Sequence, residues 1–66
     1  MPPLYDTARS YEGRPVEIGD VDGNSYQGIL EYSTTNGVYL YTRNSGIFFP
    51  FLAIASIVLL SSLFFF

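Results

Sequence analysis

The alternation of hydrophobic and polar positions divides this chain into a short helical stretch, a long stretch of period two, and a final third without polar rhythm. In residues 3–12, Leu4, Ala8 and Tyr11 fall at i, i+4 and i+7, one face of a helix. Pro2 and Pro3 suit its start and Gly13 suits its carboxyl cap. So brief a helix is marginal alone, which predicts a body for it to pack on. From Arg14 the period falls to two. Val16 and Ile18 alternate with Pro15 and Glu17, and Asp22-Gly23-Asn24 supplies residues that tolerate a hairpin turn. A second strand spans 25–33, with Tyr26, Leu30 and Tyr32 on one face. Gly28, between them, predicts a bend or bulge.

Asn36-Gly37 is the strongest turn signal in the chain. It leads into Val38-Tyr39-Leu40-Tyr41-Thr42, with Val38 and Leu40 facing the core and Tyr39 and Tyr41 facing out. Asn44-Ser45-Gly46 turns the chain into Ile47-Phe48-Phe49. After a turn at Leu52–Ser56, residues Ile57, Val58, Leu59 and Leu60 form a fifth strand. One short helix and five short strands joined by tight turns predict an all-β fold, a small and strongly bent barrel. Residues 1–60 form the barrel, and 61–66 form an apolar, phenylalanine-rich tail.

Composition adds a need for partners. A chain of 66 residues makes one domain and buries only about 60% of its unfolded surface. Scaffolds below roughly 70–80 residues usually lean on a disulfide, a metal or oligomerisation. Cysteine and histidine are both absent, so oligomerisation is the aid that remains. Six Tyr and six Phe exceed what so small a core can hide, and surplus apolar surface marks an interface.

Charge narrows the partner. Arg9, Arg14 and Arg43 are scattered among six acidic residues, for a net charge of −3. A nucleic-acid partner calls for clustered basic surface, and none is expected here. Tyr39 and Tyr41 on an outer face suit base stacking only beside Lys or Arg, so packing between subunits uses them better. Residues 44–66 carry no charge at all. Twenty-one uncharged residues, Gly46–Phe66, also match the length of a membrane helix. Pro50 leaves only sixteen residues after it, no basic residue flanks them, and β-branched and aromatic residues favour strands. The alternative to self-assembly is therefore a small domain tethered to a membrane by residues 47–66. No signal peptide is expected, since no basic patch and apolar run open the chain.

Catalytic chemistry finds no support. Asp20, Asp22 and Asn24 outline a calcium loop but lack its glycine and its acidic twelfth position, and a hairpin turn accounts for them. Glu17, Asp20, Asp22 and Glu31 have no partner base, and without histidine there is no ordinary triad. The expectation is a protein that is not an enzyme, with no catalytic residue, cofactor, metal or small-molecule substrate.

The residues also resemble a known family. A short helix, the strand Pro15–Val21, the turn Asp22-Gly23-Asn24 and Tyr26-Gln27-Gly28-Ile29-Leu30 resemble the first motif of Sm-like proteins. Ile47 to Val58 resembles the second, in particular the closing strands of the bacterial RNA-chaperone branch with its Ala-Ile-Ser-like step. Gly13-Arg14-Pro15-Val16-Glu17-Ile18 and the aromatic tail are similar to small Sm-like proteins of spore-forming Gram-positive bacteria. The resemblance implies an Sm-like, SH3-like barrel that forms rings by pairing the fourth strand of one subunit with the fifth of the next. The intersubunit residues would then be Ile47, Phe48, Phe49, Ile57, Val58, Leu59 and Leu60, with Phe64, Phe65 and Phe66 inserting into a neighbour's groove. Gly23, Gly28 and Gly37 are the structural glycines. The basic-histidine pair of the chaperone's RNA site reads here as Phe51 and Leu52, so RNA binding does not carry over. The expected protein is a homo-oligomeric structural module, in rings, stacked rings or a filament, in a bacterial cytoplasm or at a spore or cell surface.

Overall fold

The fold was obtained as a computed structural model that describes residues 3–43 and 45–61. Helix α1 (Pro3–Ser10) is followed by β1 (Pro15–Asp20), β2 (Ser25–Ser33), β3 (Gly37–Tyr41), β4 (Gly46–Pro50), a single 3-10 turn (Phe51–Ala53) and β5 (Ile54–Leu59). The five strands form one antiparallel sheet in the order β4-β3-β2-β1-β5. This is the predicted helix and five-stranded, strongly bent barrel.

The period-two stretch buries the residues its pattern selects. Val16, Ile18, Leu30, Val38 and Leu40 are fully buried, and Ala8 of α1 closes the core over them. Leu4 and Tyr11 flank Ala8 on the same helical face, which packs against β2 and β5. Gly13 ends this segment at φ +81°, and its N–H donates to the Leu30 carbonyl. An L side chain rarely adopts that conformation, so glycine is the fitting residue.

The β1–β2 turn is organised by Asp20. Its carboxylate accepts the N–H groups of Asp22 and Asn24, both at 2.9 Å, and Gly23 takes φ +92° between them. The outlined calcium loop is thus an acid-capped hairpin turn, and these hydrogen bonds hold the Asp20 carboxyl below its ordinary range.

Four expectations are corrected. The strand pairing slips between Leu30 and Tyr32, so Glu31 is an extra residue opposite the Leu40–Tyr39 step. This bulge reverses the phase of β2, and Tyr32 faces outward rather than inward beside Leu30. The chain does turn at Asn36-Gly37, but Gly37 adopts no positive φ. It opens β3 opposite Pro50, where an added Cβ would collide with the Phe49 carbonyl oxygen. The turn before it is closed by Thr34, whose N–H donates to the Gly37 carbonyl and whose Oγ1 accepts from Asn36 and Gly37. The fifth strand begins at Ile54, three residues early, because the 3-10 turn shortens the predicted turn at Leu52–Ser56. Leu60 lies just past that strand, though its N–H still donates to the Pro15 carbonyl. Finally, the membrane-tether alternative expected a helix within residues 47–66, whereas residues 46–50 and 54–59 form β4 and β5 with a 3-10 turn between them. Among the described residues, no helix is long and apolar enough to cross a membrane. Asn44 and the tail phenylalanines Phe64, Phe65 and Phe66 lie outside the described residues.

Gly28 sets how sharply β2 can bend. A Cβ there would strike the Tyr41 carbonyl oxygen and sit 3.0 Å from Leu40 Cγ. Gly28→Ala should lower stability by about 1–3 kcal/mol, since backbone must move. Gly46→Ala, whose nearest neighbour is 4.0 Å away, should stay within about 0.5 kcal/mol. Urea unfolding of both variants at one protein concentration checks this pair.

Candidate interaction surface

The strand order leaves two open edges. Among the described residues, β4 has a partner only in β3, and β5 only in β1. In an antiparallel strand, alternate residues direct their N–H and C=O groups to opposite sides. Each edge therefore presents a row of backbone donors and acceptors away from the sheet, a template for another strand. Neither β4 (GIFFP) nor β5 (IASIVL) contains a charged residue.

The residues predicted at the interface divide by face. On β4, Phe49 is buried and Ile47 packs against the core, opposite Val38 and Leu40 respectively. Phe48, between them, points outward and is 40% exposed. A second slip, between Gly19 and Asp20, makes Ala55 the extra residue of β5. It lets Ile54, Ile57 and Leu59 all face the core side while Ser56 and Val58 face out. Val58 opposes Glu17 and is 52% exposed. Within one chain these two sets occupy separate edges of the sheet; the fold does not bring them together.

The outer face of β2, β3 and β4 carries a feature that period two does not reveal. The bulge at Glu31 places Tyr32 opposite Tyr39, and Tyr39 opposite Phe48. Tyr32 and Tyr39 stack with centroids 4.9 Å apart, and Tyr39 and Phe48 meet at 5.2 Å with a tilt of 52°. Three rings thus cross three strands in one row that ends at the open edge of β4. Tyr39 has a ring on both sides. An uninterrupted alternation in β2 would send Tyr32 to the core, and nothing in Leu30-Glu31-Tyr32 marks the bulge.

The carboxyl end of β2 is held from the helix side. Glu12 accepts the Ser33 hydroxyl at 2.6 Å and the Ser33 N–H at 2.9 Å. These bonds, hydroxyl first, hold the Glu12 carboxyl below its ordinary range. The 3-10 turn presents a different chemistry. Phe51 is half-buried and meets Tyr5 of α1 edge-on at 6.2 Å, while Leu52 is 95% exposed. Neither residue offers a charge or a hydrogen-bonding group to an anion. Among the described residues, no three His, Cys, Asp or Glu side chains gather to hold a metal ion.

The architecture recurs among solved structures. A crystal structure of the pleiotropic translational regulator Hfq superposes with a TM-score of 0.75 and 14% identity, over 82% of this chain and 85% of that one. The fold is Sm-like. No protein-family model and no curated protein matches the chain. The Sm-like likeness therefore rests on shape: strand order, the bent second strand, and a helix set before the first strand.

The Glu12 clamp has a pH signature. A carboxyl whose folded pKa lies below its unfolded value stabilises the fold above that unfolded value, and the effect is lost as pH falls. Urea midpoints should therefore stay level above about pH 5 and decline as pH drops below 4.5, the ordinary value of Glu12. Glu12→Gln should start from a lower midpoint at pH 7 and lose less between pH 7 and pH 3.

Proposed function

We propose that this protein is a non-enzymatic, self-assembling structural module whose copies join through the open edges of β4 and β5. The observation that carries this reading is the pair of uncharged, unpartnered edge strands on one small sheet. Natural sheets usually blunt such edges with lysine, inward charges or a cover of helix or loop. Pro50, at the last position of β4, is the nearest approach to such a device here. β4 and β5 are different surfaces, so the contact between them is heterologous: a rotation that closes gives a ring, and one that does not gives a filament. The interface residues are Ile47, Phe48 and Phe49 on one side and Ile57, Val58, Leu59 and Leu60 on the other. The backbone edges supply hydrogen bonds, and the outward side chains supply apolar contact.

Phe64, Phe65 and Phe66 add a second contact. They are three uncharged rings in a stretch, 44–66, without a charged side chain, and in this reading they insert into a neighbour's apolar groove, stacking rings or extending a filament. The setting that suits such an assembly is a spore or surface structure. RNA is not its ligand in this reading. Phe51 and Leu52 stand where the resembled chaperone branch carries its basic-histidine pair, the chain is acidic, and Tyr39 is enclosed by Tyr32 and Phe48.

Light scattering on the full chain in detergent-free buffer tests the assembly. The expected mass is a whole multiple of 7.4 kDa well above one, held across a tenfold dilution. A monomer at micromolar concentration would overturn it. Removal of residues 61–66 should reduce the largest species to a single ring or short oligomer. An unchanged size after that deletion would overturn the part assigned to the tail.

A further inference from the structure

The ring row on the outer face ends on an edge strand of the sheet. Tyr39 lies between Tyr32 and Phe48, at 4.9 and 5.2 Å. Phe48 has Tyr39 on its β3 side and, among the described residues, no strand on the other, because β4 ends the sheet. Its ring leans across β3, with Cζ over Gly37, and 40% of the residue stays exposed on the strand to which a further strand would pair. Directly opposed aromatic and β-branched side chains on one face of a sheet form a favourable cross-strand pair.

From this we infer that Phe48 is the anchor that sets partner and register at the β4 edge, and that it is capped by Val58 on β5 of a second copy. The inference rests on the edge-to-edge reading above and adds to it which side chains meet. Val58 fits on three observations. It lies on the other open edge of the same sheet, it faces outward, and it is apolar and 52% exposed. The other outward residue of β5, Ser56, is set closely against Gly19, where an added Cβ would lie 2.8 Å from Ser56 Oγ. It offers neither the reach nor the apolar surface to cover a ring. Joining Val58 to the row would continue Tyr32, Tyr39 and Phe48 across the subunit boundary. The two bulges then acquire one purpose. The slip at Glu31 turns Tyr32 outward to begin the row, and the slip at Ala55 leaves Val58 outward to end it.

The chain contains no cysteine, so engineered cysteines report on single contacts. Full-length Phe48→Cys and Val58→Cys are prepared separately, mixed, and oxidised with diamide. The expected result is a disulfide-linked dimer from the mixture, formed at least tenfold faster than from either variant alone. The double variant should give a series of covalent oligomers on a denaturing gel. Rapid self-linking of Phe48→Cys alone would show β4 paired with β4 and would overturn the proposal. Equal linking of Phe48→Cys to Ser56→Cys and to Val58→Cys would overturn the register. Scattering measured on the same samples separates the two levels. Assembled protein without the Phe48–Val58 link overturns this contact alone, whereas monomeric protein overturns the edge-pairing reading on which it rests. As a second readout, Phe48→Ala should raise the dissociation midpoint of the assembly at least tenfold and Phe48→Leu by less. Unfolding by circular dichroism should show both variants still folded, because Phe48 faces away from the core.

Discussion

The close approach of β2 to β3 at Gly28 is the constraint on which the remaining architecture depends. β2 is the longest strand, nine residues, and pairs with β1 through its first half and β3 through its second. To serve both, it must bend where Gly28 lies against the backbone of Tyr41. No side chain fits there. The bend folds one sheet into two halves that enclose Val16, Ile18, Leu30, Val38 and Leu40, and Ala8 of the helix seals them. A core this small fills quickly, so the aromatic residues beyond it remain outside.

The same bend determines which strands end the sheet. With β1, β2 and β3 in the middle, β4 and β5 are left with one neighbour each, joined by three residues of 3-10 turn. Edges without charge are an aggregation hazard unless they are matched to a defined partner. A protein of 66 residues without disulfide or histidine ligand also lacks the usual staples of small domains. Pairing the two edges between copies answers both difficulties at once, and the small charge-poor strands leave little else to oppose it.

Much of this was legible in residue order. The helical face of Leu4, Ala8 and Tyr11, the inward Val16 and Ile18, the bend at Gly28 and the inward Val38 and Leu40 all follow from periodicity and glycine chemistry. The misplacements share a cause: a one-residue slip has no compositional mark. Glu31 and Ala55 are ordinary strand residues, yet each shifts the phase of everything after it. Tyr32 consequently moves from the core to the outer row, and β5 starts at Ile54 where alternation suggested Ile57. Gly37 misleads differently. Asn-Gly is the expected sequence of a tight turn, but the glycine is needed because Phe49 and Pro50 approach it from β4. The ring row was hidden for the same reason as Tyr32, since it exists only in the shifted register.

In the proposed assembly, both edges of the sheet are covered by other copies of the chain. Amide hydrogen exchange across residues 46–50 and 54–59 tests it most directly, because alternate amides in those strands face no strand among the described residues of one chain. Edge pairing predicts that every non-proline amide in both strands is protected when scattering shows assembly, and that the alternate ones become unprotected on dissociation by dilution. Alternate edge amides that exchange as fast as loop amides in the assembled protein would contradict it.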